Sequence, residues 1–290
     1  MQVSLAVDVG GTKMAAGLVD ADGELVASAS APTPTTDDAE ELFAVLAALV
    51  DAVGGDGEVV ACGVGSGGPM SPGGEEVSPL NIPGWRRFPL QRRLADLTGV
   101  PTFVDNDAKA LALGEGWRGA AAGERDFIAM VVSTGVGGGV VLDGRLLDGA
   151  QGNAGHIGHV IVEPEGRVCR CGGRGCLEAE ASGPSIAAIT GRPAAEATPE
   201  TIARTGALVG RAVASVANLL DLRLAVVAGS VALGFGAPFF TAAQAELDAR
   251  ARLDFSAGAR IVPGRLGERG PLVGAGAVAW RGIGRGVLPA

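Results

Sequence analysis

The chain of 290 residues carries 32 acidic and 23 basic side chains, which gives a formal net charge of −9. This acidic balance disfavours nucleic acid as a partner, because a phosphate backbone is bound by a basic face. Hydrophobic residues make up 47% of the chain and charged residues 19%, proportions typical of a folded globular protein rather than a disordered one.

Neither an export signal nor a membrane segment is expected. The first strand of the chain alternates in polarity and contains Asp8, unlike a secretory signal peptide. No uninterrupted apolar run approaches the roughly 18 residues needed to cross a bilayer. We therefore expect a cytoplasmic protein with no membrane partner.

The first part of the chain predicts an α/β domain. A buried strand, Val3–Asp8, opens on the glycine turn Gly10–Lys13, and two further strands joined by an Asp-Gly hairpin follow. A helix capped by Asp37 or Asp38 then extends to about residue 53. Beyond it we expect a strand at 59–64, a tight loop at 65–69, a helix at 90–97, a strand at 102–104 and a helix at 108–117.

The second half repeats the opening order of strand, Gly/Thr turn, strand, Asp-Gly hairpin and strand. The strand Phe127–Val132 leads into the turn Ser133–Gly139, and two short strands joined by Asp143-Gly144 follow. Such a repeat predicts two similar α/β domains with a cleft between them. The later elements that we expect are helices at 184–190, 199–220 and 237–252, strands at 224–228 and 260–262, and a closing helix from 272. The predicted domains are 1–120, 121–271 and a segment 272–290 that returns to the first domain.

Both Gly/Thr turns have the features of a phosphate site. Successive backbone N–H groups in a turn form a concave nest for anionic oxygens, and glycine lets a phosphate approach closely. Thr12 and Thr134 each add a hydroxyl, and Asp8 at its strand end can orient the Mg²⁺ that bridges nucleotide phosphates. Two such turns in matching places of a repeat indicate nucleotide binding, although neither is a Walker A loop.

Asp107 follows a predicted strand and begins a predicted helix, which is typical of a residue at the edge of a cleft. A carboxylate in this position can accept the proton of an attacking alcohol, and its neighbour Asn106 can bind hydroxyls. Asp107 can equally be a helix N-cap without a chemical role. The sequence leaves these two interpretations open.

One stretch, from Gly149 to Glu180, holds both histidines of the chain and three of its four cysteines. One histidine and three cysteines form a Cys₃His set, whose soft ligands suit a closed tetrahedral zinc site. The alternatives are free buried thiols, or a disulfide with one thiol left over, although a C-x-C disulfide would be strained. The predicted zinc ligands are His159, Cys169, Cys171 and Cys176.

Together these motifs resemble the ROK family of sugar kinases over essentially the whole chain. The family pattern is D-x-G-G-T-K, N-D-A, G-T-G-x-G-G-G, G-x-x-G-E-x-G-H, C-x-C-G-x-x-G-C-x-E and a late G-G/S. In this chain the motifs stand at Asp8–Lys13, Asn106–Ala108, Ser133–Gly139, Gly152–His159, Cys169–Glu178 and Gly229-Ser230. Ser133 stands where the family usually has glycine.

The resemblance implies a fold and an activity. The fold is the duplicated actin-like (ribonuclease H-like) ATPase fold of class α/β, and the activity is phosphoryl transfer from ATP with Mg²⁺ to a sugar, with Asp107 as general base and zinc as a structural ion. The substrate-binding residues that it implies are Gly68, Asn106, Asp107, His159 and Glu178. The implied cofactor-binding residues are Asp8, Gly10, Gly11, Thr12, Lys13, Thr134, Gly135, Gly137, Gly138, Gly139, Gly229 and Ser230.

Repressors of this family carry a helix-turn-helix ahead of the first motif, and the few residues before Asp8 leave no room for one, so we expect a kinase rather than a repressor. A sugar-binding regulator without turnover is the rival from another class. A homodimer is an expectation from the family resemblance alone.

One further departure from the family pattern bears on the substrate. His156 stands where most members have the Glu of G-E-x-G-H, a sugar-hydroxyl acceptor in glucose-type enzymes. The Gly-His-Ile-Gly-His form resembles the bacterial N-acetylmannosamine kinases of the family, and a neutral imidazole, which both donates and accepts, suits an acetamido group. We therefore expect His156 among the substrate contacts of an N-acetylmannosamine kinase. The alternative is that His156 is a harmless replacement in a glucokinase.

Overall fold

The computed structural model describes residues 1–55 and 57–289. Asp56 and Ala290, which fall in the predicted segments 1–120 and 272–290, lie outside the described residues. The chain divides into two units. The first unit comprises Met1–Gly123, Asp148–Ala154 and the segment from Leu266 onward, and the second comprises Glu124–Leu147 and Gly155–Arg265.

The strands and helices alternate as an α/β protein requires. The strands are β1 (Gln2–Val9), β2 (Lys13–Asp20), β3 (Leu25–Pro32), β4 (Glu58–Ser66), β5 (Thr102–Asn106), β6 (Phe127–Val132), β7 (Val136–Leu142), β8 (Arg145–Leu146), β9 (Leu224–Ala228) and β10 (Arg260–Pro263). The helices are α1 (Ala39–Ala52), α2 (Leu90–Thr98), α3 (Asp107–Arg118), α4 (Leu177–Ala181), α5 (Gly183–Thr190), α6 (Pro199–Leu220), α7 (Ser230–Phe235), α8 (Ala237–Arg250) and α9 (Gly270–Gly282).

Each unit contains one five-stranded mixed sheet, and the two sheets have the same topology. The first sheet has the order β3-β2-β1-β4-β5, and the second has the order β8-β7-β6-β9-β10. In both sheets the first three strands along the chain are antiparallel neighbours, and the last two pair in parallel. The internal repeat predicted from the sequence is therefore confirmed strand by strand.

Helix α9 lies close to the sheet of the first unit because glycines remove side chains from the contact. A Cβ on Gly63 in β4 would lie 2.0 Å from the carbonyl oxygen of Ala275, and a Cβ on Gly274 would lie 2.5 Å from that of Ala110 in α3. Neither position can carry a side chain without a shift of the backbone. The C-terminal helix thus completes the core of the unit in which the chain begins.

The cores follow the amphipathic patterns of the elements around them. In the first unit, buried residues of β1 and β2 pack with one face of α1, where Leu42 and Leu46 are fully buried. In the second unit, β6 and β9 pack with α6 and α8, and Phe239 is fully buried. Burying a side chain of this size contributes about 1.5–3 kcal/mol. Among the described residues, no helix combines the length and the apolar character that a bilayer crossing requires.

The structure differs from the sequence-based elements at two helices and one turn. Helices α4 and α7 have no predicted counterpart, because helices of five and six residues are too short to show a periodic pattern. The turn predicted at Ser133–Gly139 is also shorter. The N–H of Ser133 donates to the carbonyl of Gly135 at 2.9 Å, so β7 resumes at Val136 and the next three glycines pair with β6.

Candidate active site and metal centre

The first Gly/Thr turn is a closed turn between β1 and β2. The N–H of Gly10 donates to the carbonyl of Lys13 at 3.1 Å. The end of β3 braces the turn from outside, because the Thr33 hydroxyl donates to the carbonyl of Gly10 at 2.7 Å and the Thr33 N–H to that of Thr12 at 3.0 Å. Gly11, Thr12 and Lys13 are exposed. The turn is therefore held in place while its outer surface stays open to a ligand.

Asp8 and Asp107 share one edge of the first sheet. Asp8 lies opposite Gly65 on the neighbouring strand β4. A Cβ on Gly65 would lie 3.6 Å from the Cα of Asp107 and 3.8 Å from Oδ1 of Asp8, so the glycine leaves the space between the two acids open. Burial, together with the negative charge of Asp107, raises the pKa of Asp8 from 3.8 to about 7, against the opposing charge of Lys13.

Asn106, rather than Asp107, is the N-cap of α3. The Asn106 side chain accepts a hydrogen bond from the N–H of Ala108 at 3.0 Å, and Oδ1 of Asp107 accepts from the same N–H at 2.8 Å. The Asp107 side chain is exposed at the first helical position. A Cβ on Gly68 would lie 3.9 Å from Nδ2 of Asn106, so the loop after β4 adjoins the start of α3.

A buried lysine that the sequence does not single out lies on the first turn of α3. Lys109 is 2% exposed, and its ammonium pairs with Asp105 at 3.0 Å and with Asp148 at 2.8 Å. It also donates to the carbonyl of Gly152 at 3.2 Å. These bonds fasten the segment Asp148–Ala154 to the helix that carries Asp107. The i, i+4 spacing of Asp105 and Lys109 is the one sequence signal of this contact.

In the second unit, the matching turn lies against the carboxylate of Glu178. Oε2 of Glu178 accepts a hydrogen bond from the N–H of Val136 at 3.0 Å and would lie 3.0 Å from a Cβ on Gly135. Thr134, at the tip of the turn, is exposed. The absence of a side chain at Gly135 is thus what lets Glu178 approach the turn. Gly137, Gly138 and Gly139 stand in β7 directly after it.

The Gly229-Ser230 motif lies against the turn that begins at Ser133. Gly229 has a φ of 98°, and a Cβ on it would lie 2.5 Å from the carbonyl oxygen of Val132. The hydroxyls of Ser133 and Ser230 are 2.8 Å apart. The departure from the family pattern at Ser133 therefore has a structural role, since its hydroxyl links the turn to the start of α7.

The predicted metal ligands form one cluster. The ligand atoms of His159 and the three cysteines all lie within 4.8 Å of one another. Nδ1 of His159 is 3.8 Å from Sγ of Cys169, and Sγ of Cys171 is 3.7 Å from Sγ of Cys176. Ligands about 2.3 Å from a tetrahedral zinc ion stand about 3.8 Å apart, so the residues fit this metal in both chemistry and spacing.

Glycines shape the loop that holds the cysteines. Gly172 and Gly175 have φ values of 89° and 73°, which side chains rarely adopt. The N–H of Gly172 donates to the carbonyl of Cys169 at 2.9 Å, and the N–H of Cys169 donates to the carbonyl of Gly173 at 2.8 Å. The loop is tied to the rest of the unit where the N–H of Leu177, at the start of α4, donates to the carbonyl of Val160 at 2.9 Å.

His156 and His159 lie on one short turn of 3₁₀ helix. The N–H of His159 donates to the carbonyl of His156 at 3.0 Å. The two rings are nearly parallel, at 16°, with centroids 6.2 Å apart, and both side chains are exposed. The turn packs closely on β7, because a Cβ on Gly158 would lie 2.0 Å from the carbonyl oxygen of Val136. His156, which stands where the family pattern has glutamate, therefore places a second imidazole beside His159, one of the predicted metal ligands.

Comparison with known proteins identifies the family to which the chain belongs. The model of the ROK family matches residues 4–281, and the chain belongs to that family. It is 40% identical over 249 residues to an N-acetylmannosamine kinase of Escherichia fergusonii, an alignment that covers 80% of this chain and 84% of the relative.

Two solved structures have the same fold. A ROK family glucokinase from Streptomyces griseus, solved in complex with glucose and AMPPNP, is 29% identical with a TM-score of 0.83 over 96% of this chain and 99% of the other. A ROK hexokinase from Thermus thermophilus is 33% identical with a TM-score of 0.83 over 97% and 99% of the two chains. The predicted duplicated actin-like fold is therefore confirmed.

The fit of the cluster to zinc predicts the metal content of variants. Cys171 is exposed, so its replacement removes a ligand without opening the core. We expect about one zinc per chain in the purified protein and a large loss of zinc in Cys171→Ser, because a tetrahedral site that loses a thiolate binds zinc much more weakly. Elemental analysis measures both. Cys62→Ala, which alters a cysteine in β4, should retain zinc; equal zinc in Cys171→Ser and the parent protein would contradict the assignment.

The raised pKa of Asp8 predicts a pH dependence of stability. Because the folded protein holds this proton more tightly than the unfolded chain, the contribution of Asp8 to stability is fully present below about pH 4 and is lost as the pH rises through about 7. Asp8→Asn removes this cost, so we expect it to raise the free energy of unfolding by up to about 4 kcal/mol at pH 8 and by less, about 1.6 kcal/mol, at pH 5.

Denaturant unfolding of both proteins at the two pH values measures this difference. Asp51→Asn, at an exposed position on α1, serves as the matched control and should have a small effect at either pH. An equal effect of Asp8→Asn at pH 5 and pH 8 would show that Asp8 is not held in a protonated state by its surroundings.

Proposed function

We propose that this protein is an ATP-dependent carbohydrate kinase, a transferase that phosphorylates the 6-hydroxyl of a hexose or N-acetylhexosamine, and that its preferred substrate is N-acetylmannosamine. The observation that carries the proposal is the exposed Asp107 carboxylate beside Asp8 and next to a braced glycine turn, in a chain 40% identical to an N-acetylmannosamine kinase.

Asp107 acts as the general base. Its carboxylate accepts the proton of the 6-hydroxyl as the sugar oxygen attacks the γ-phosphorus, and ADP leaves with the electron pair of the broken P–O bond. The helix start suits this role, because the N–H of Ala108 binds one carboxylate oxygen and fixes the direction of the other. Asn106, held as the N-cap, and Gly68, which adjoins it, supply contacts to sugar hydroxyls.

The two glycine turns bind the phosphates of ATP. Gly10 to Lys13 in the first unit, and Thr134 and Gly135 in the second, offer backbone N–H groups and hydroxyls to anionic oxygens. Gly137 to Gly139, with Gly229 and Ser230, complete the second site. When bound, Mg²⁺ neutralises phosphate charge, and a divalent cation near Asp8 would offset the cost of ionising that carboxylate.

His159, Cys169, Cys171 and Cys176 would hold a zinc ion. Because four protein ligands would leave no open position for water, the ion would orient sugar contacts rather than activate water. Nδ1 of His159 faces Sγ of Cys169, so with zinc held there the imidazole would carry its proton on Nε2 and could donate it to a sugar hydroxyl. Glu178 follows the last cysteine on α4, and its Oε2 is fixed by Val136, which leaves Oε1 to accept from the sugar.

The choice of sugar rests on His156. An exposed imidazole can donate to the carbonyl of an acetamido group and accept from a hydroxyl, whereas a carboxylate only accepts. Glucose is the second candidate, because the Streptomyces griseus enzyme with the same fold is a glucokinase. A sugar-binding regulator without turnover is the rival from another class.

The predicted domains have separate roles in this proposal. Residues 1–120, with the returning segment 272–290, form the sugar and phosphate side and carry the base. Residues 121–271 hold the nucleotide site and the zinc motif, whose residues add contacts to the sugar. We place the enzyme in the cytoplasm, where ATP is abundant and the thiols stay reduced to bind metal. A homodimer is the assembly that we propose from the family resemblance.

The general base is tested by Asp107→Asn, which keeps the shape of the side chain and removes its basicity. We expect kcat to fall about 10²–10⁴-fold, because this is what a positioned base contributes, while the KM for ATP changes little. A coupled assay of ADP release with a panel of hexoses and N-acetylhexosamines measures it. Asp96→Asn, on the exposed face of α2, is the control. Absence of turnover with every sugar in the parent protein would favour the regulator, and full activity in Asp107→Asn would remove Asp107 from its role.

The substrate is tested by kcat/KM for N-acetylmannosamine, N-acetylglucosamine and glucose, in the parent protein and in His156→Glu. The variant restores a charge-assisted hydrogen bond to a hydroxyl, worth roughly 1.5–3 kcal/mol. We therefore expect it to shift preference toward glucose by about one to two decades. A lead of about tenfold or more for glucose in the parent protein would make the enzyme a glucokinase.

A further inference from the structure

Asn81 lies directly against the first glycine turn. A Cβ on Gly11 would lie 2.4 Å from the Cβ of Asn81 and 3.1 Å from its carbonyl oxygen, so Gly11 must lack a side chain for the two segments to meet. Asn81 is exposed. Within the part of the chain that the structure describes, its carboxamide has no hydrogen-bond partner. An amide donor is thus held beside the backbone that we propose binds phosphate.

The loop that carries Asn81 is held rigidly at its base. The backbones of Val77 and Phe88 exchange two hydrogen bonds of 2.9 Å each. The Trp85 ring stacks on Phe88 at a centroid distance of 4.4 Å, and its indole N–H donates to the carbonyl of Ala39 at 3.2 Å. Trp85 is fully buried, and so this end of the loop is part of the core of the first unit.

An arginine fixes the tip of the loop from within. Nη1 of Arg86 donates to three carbonyls, those of Pro79, Ile82 and Trp85, at 3.1, 3.0 and 2.7 Å. These carbonyls flank Asn81 on both sides along the chain. Charge-assisted hydrogen bonds from Arg86 restrict the motion of the loop backbone. Asn81 is therefore held in a fixed position.

The same tip adjoins the loop that is expected to contact the sugar. The N–H of Leu80 donates to the carbonyl of Gly68 at 3.3 Å, and the N–H of Ser78 donates to that of Pro69 at 2.8 Å. Asn81 accordingly lies where the glycine turn and the sugar-side loop meet. This is the place through which a phosphoryl group passes if the proposed function is correct.

We propose that Asn81 is a further catalytic residue, which donates its amide N–H to an oxygen of the transferring γ-phosphoryl group. The proposal rests on the proposed function. During transfer, negative charge is spread over the three equatorial oxygens of the phosphoryl group, and a fixed donor aimed at them stabilises the transition state. The direct packing on Gly11 favours this contact over one to the sugar, because the turn is the phosphate-binding element.

Two variants test this role by kinetics. Asn81→Ala removes the donor, and we expect kcat to fall on the order of 10²-fold with the KM for sugar changed less than about threefold. Asn81→Asp keeps the shape and puts a negative charge beside the phosphoryl group, so its kcat should be lower still. Leu80→Ala, at the exposed neighbouring position, is the control and should keep the parent kcat. A near-normal kcat in Asn81→Asp, or a raised KM for sugar with normal kcat, would overturn the proposal.

Nucleotide affinity gives an independent readout. By calorimetry, Asn81→Asp should bind AMPPNP about tenfold or more weakly than the parent protein and bind ADP, which lacks the terminal phosphoryl group, equally well. Equal loss for both nucleotides, or none for either, would overturn the contact. If the parent protein transfers phosphoryl to no sugar, the proposed function fails, and the comparison of AMPPNP with ADP still decides the placement of Asn81.

Discussion

The parallel pairing of β1, β4 and β5 is the constraint on which the first half of the site depends. Parallel neighbours end at the same edge of a sheet, so acids at the ends of β1 and β5 come together whatever their distance along the chain. Gly65 lies between them on β4, where any side chain would fill the gap between Asp8 and Asp107. Burial of Asp8, together with the negative charge of Asp107, raises the pKa of Asp8 to about 7.

The second unit has the same sheet topology, but different side chains lie at its Gly/Thr turn. Its Gly/Thr turn is contacted by one acid, Glu178, which follows the loop that carries the cysteines. Glu178 stands two residues after Cys176 on a helix of only five residues, and so its direction depends on the loop before it. The loop that carries the cysteines is therefore connected to this turn through the hydrogen bond that the N–H of Val136 donates to Glu178.

Several supports of the site are bonds between segments far apart in sequence. Lys109 joins α3 to the segment Asp148–Ala154, and its burial at 2% exposure is tolerated because two carboxylates and a carbonyl surround its ammonium. The bonds of Arg86 are local by contrast, since the three carbonyls that it binds lie within seven residues of it in the loop that packs on Gly11. Neither residue belongs to a motif of the family.

The sequence by itself determined the class of fold, the internal repeat and the metal cluster. Strands and long helices such as α6 show their hydrophobic period directly in the sequence. The four predicted metal ligands lie within eighteen residues, so a local loop brings them together. Tertiary structure decided the rest, because long-range packing leaves no periodic signal. Only the folded chain shows that Asn106 caps α3, that Ser133 meets Ser230, and that Asn81 lies on Gly11, seventy residues away in the sequence.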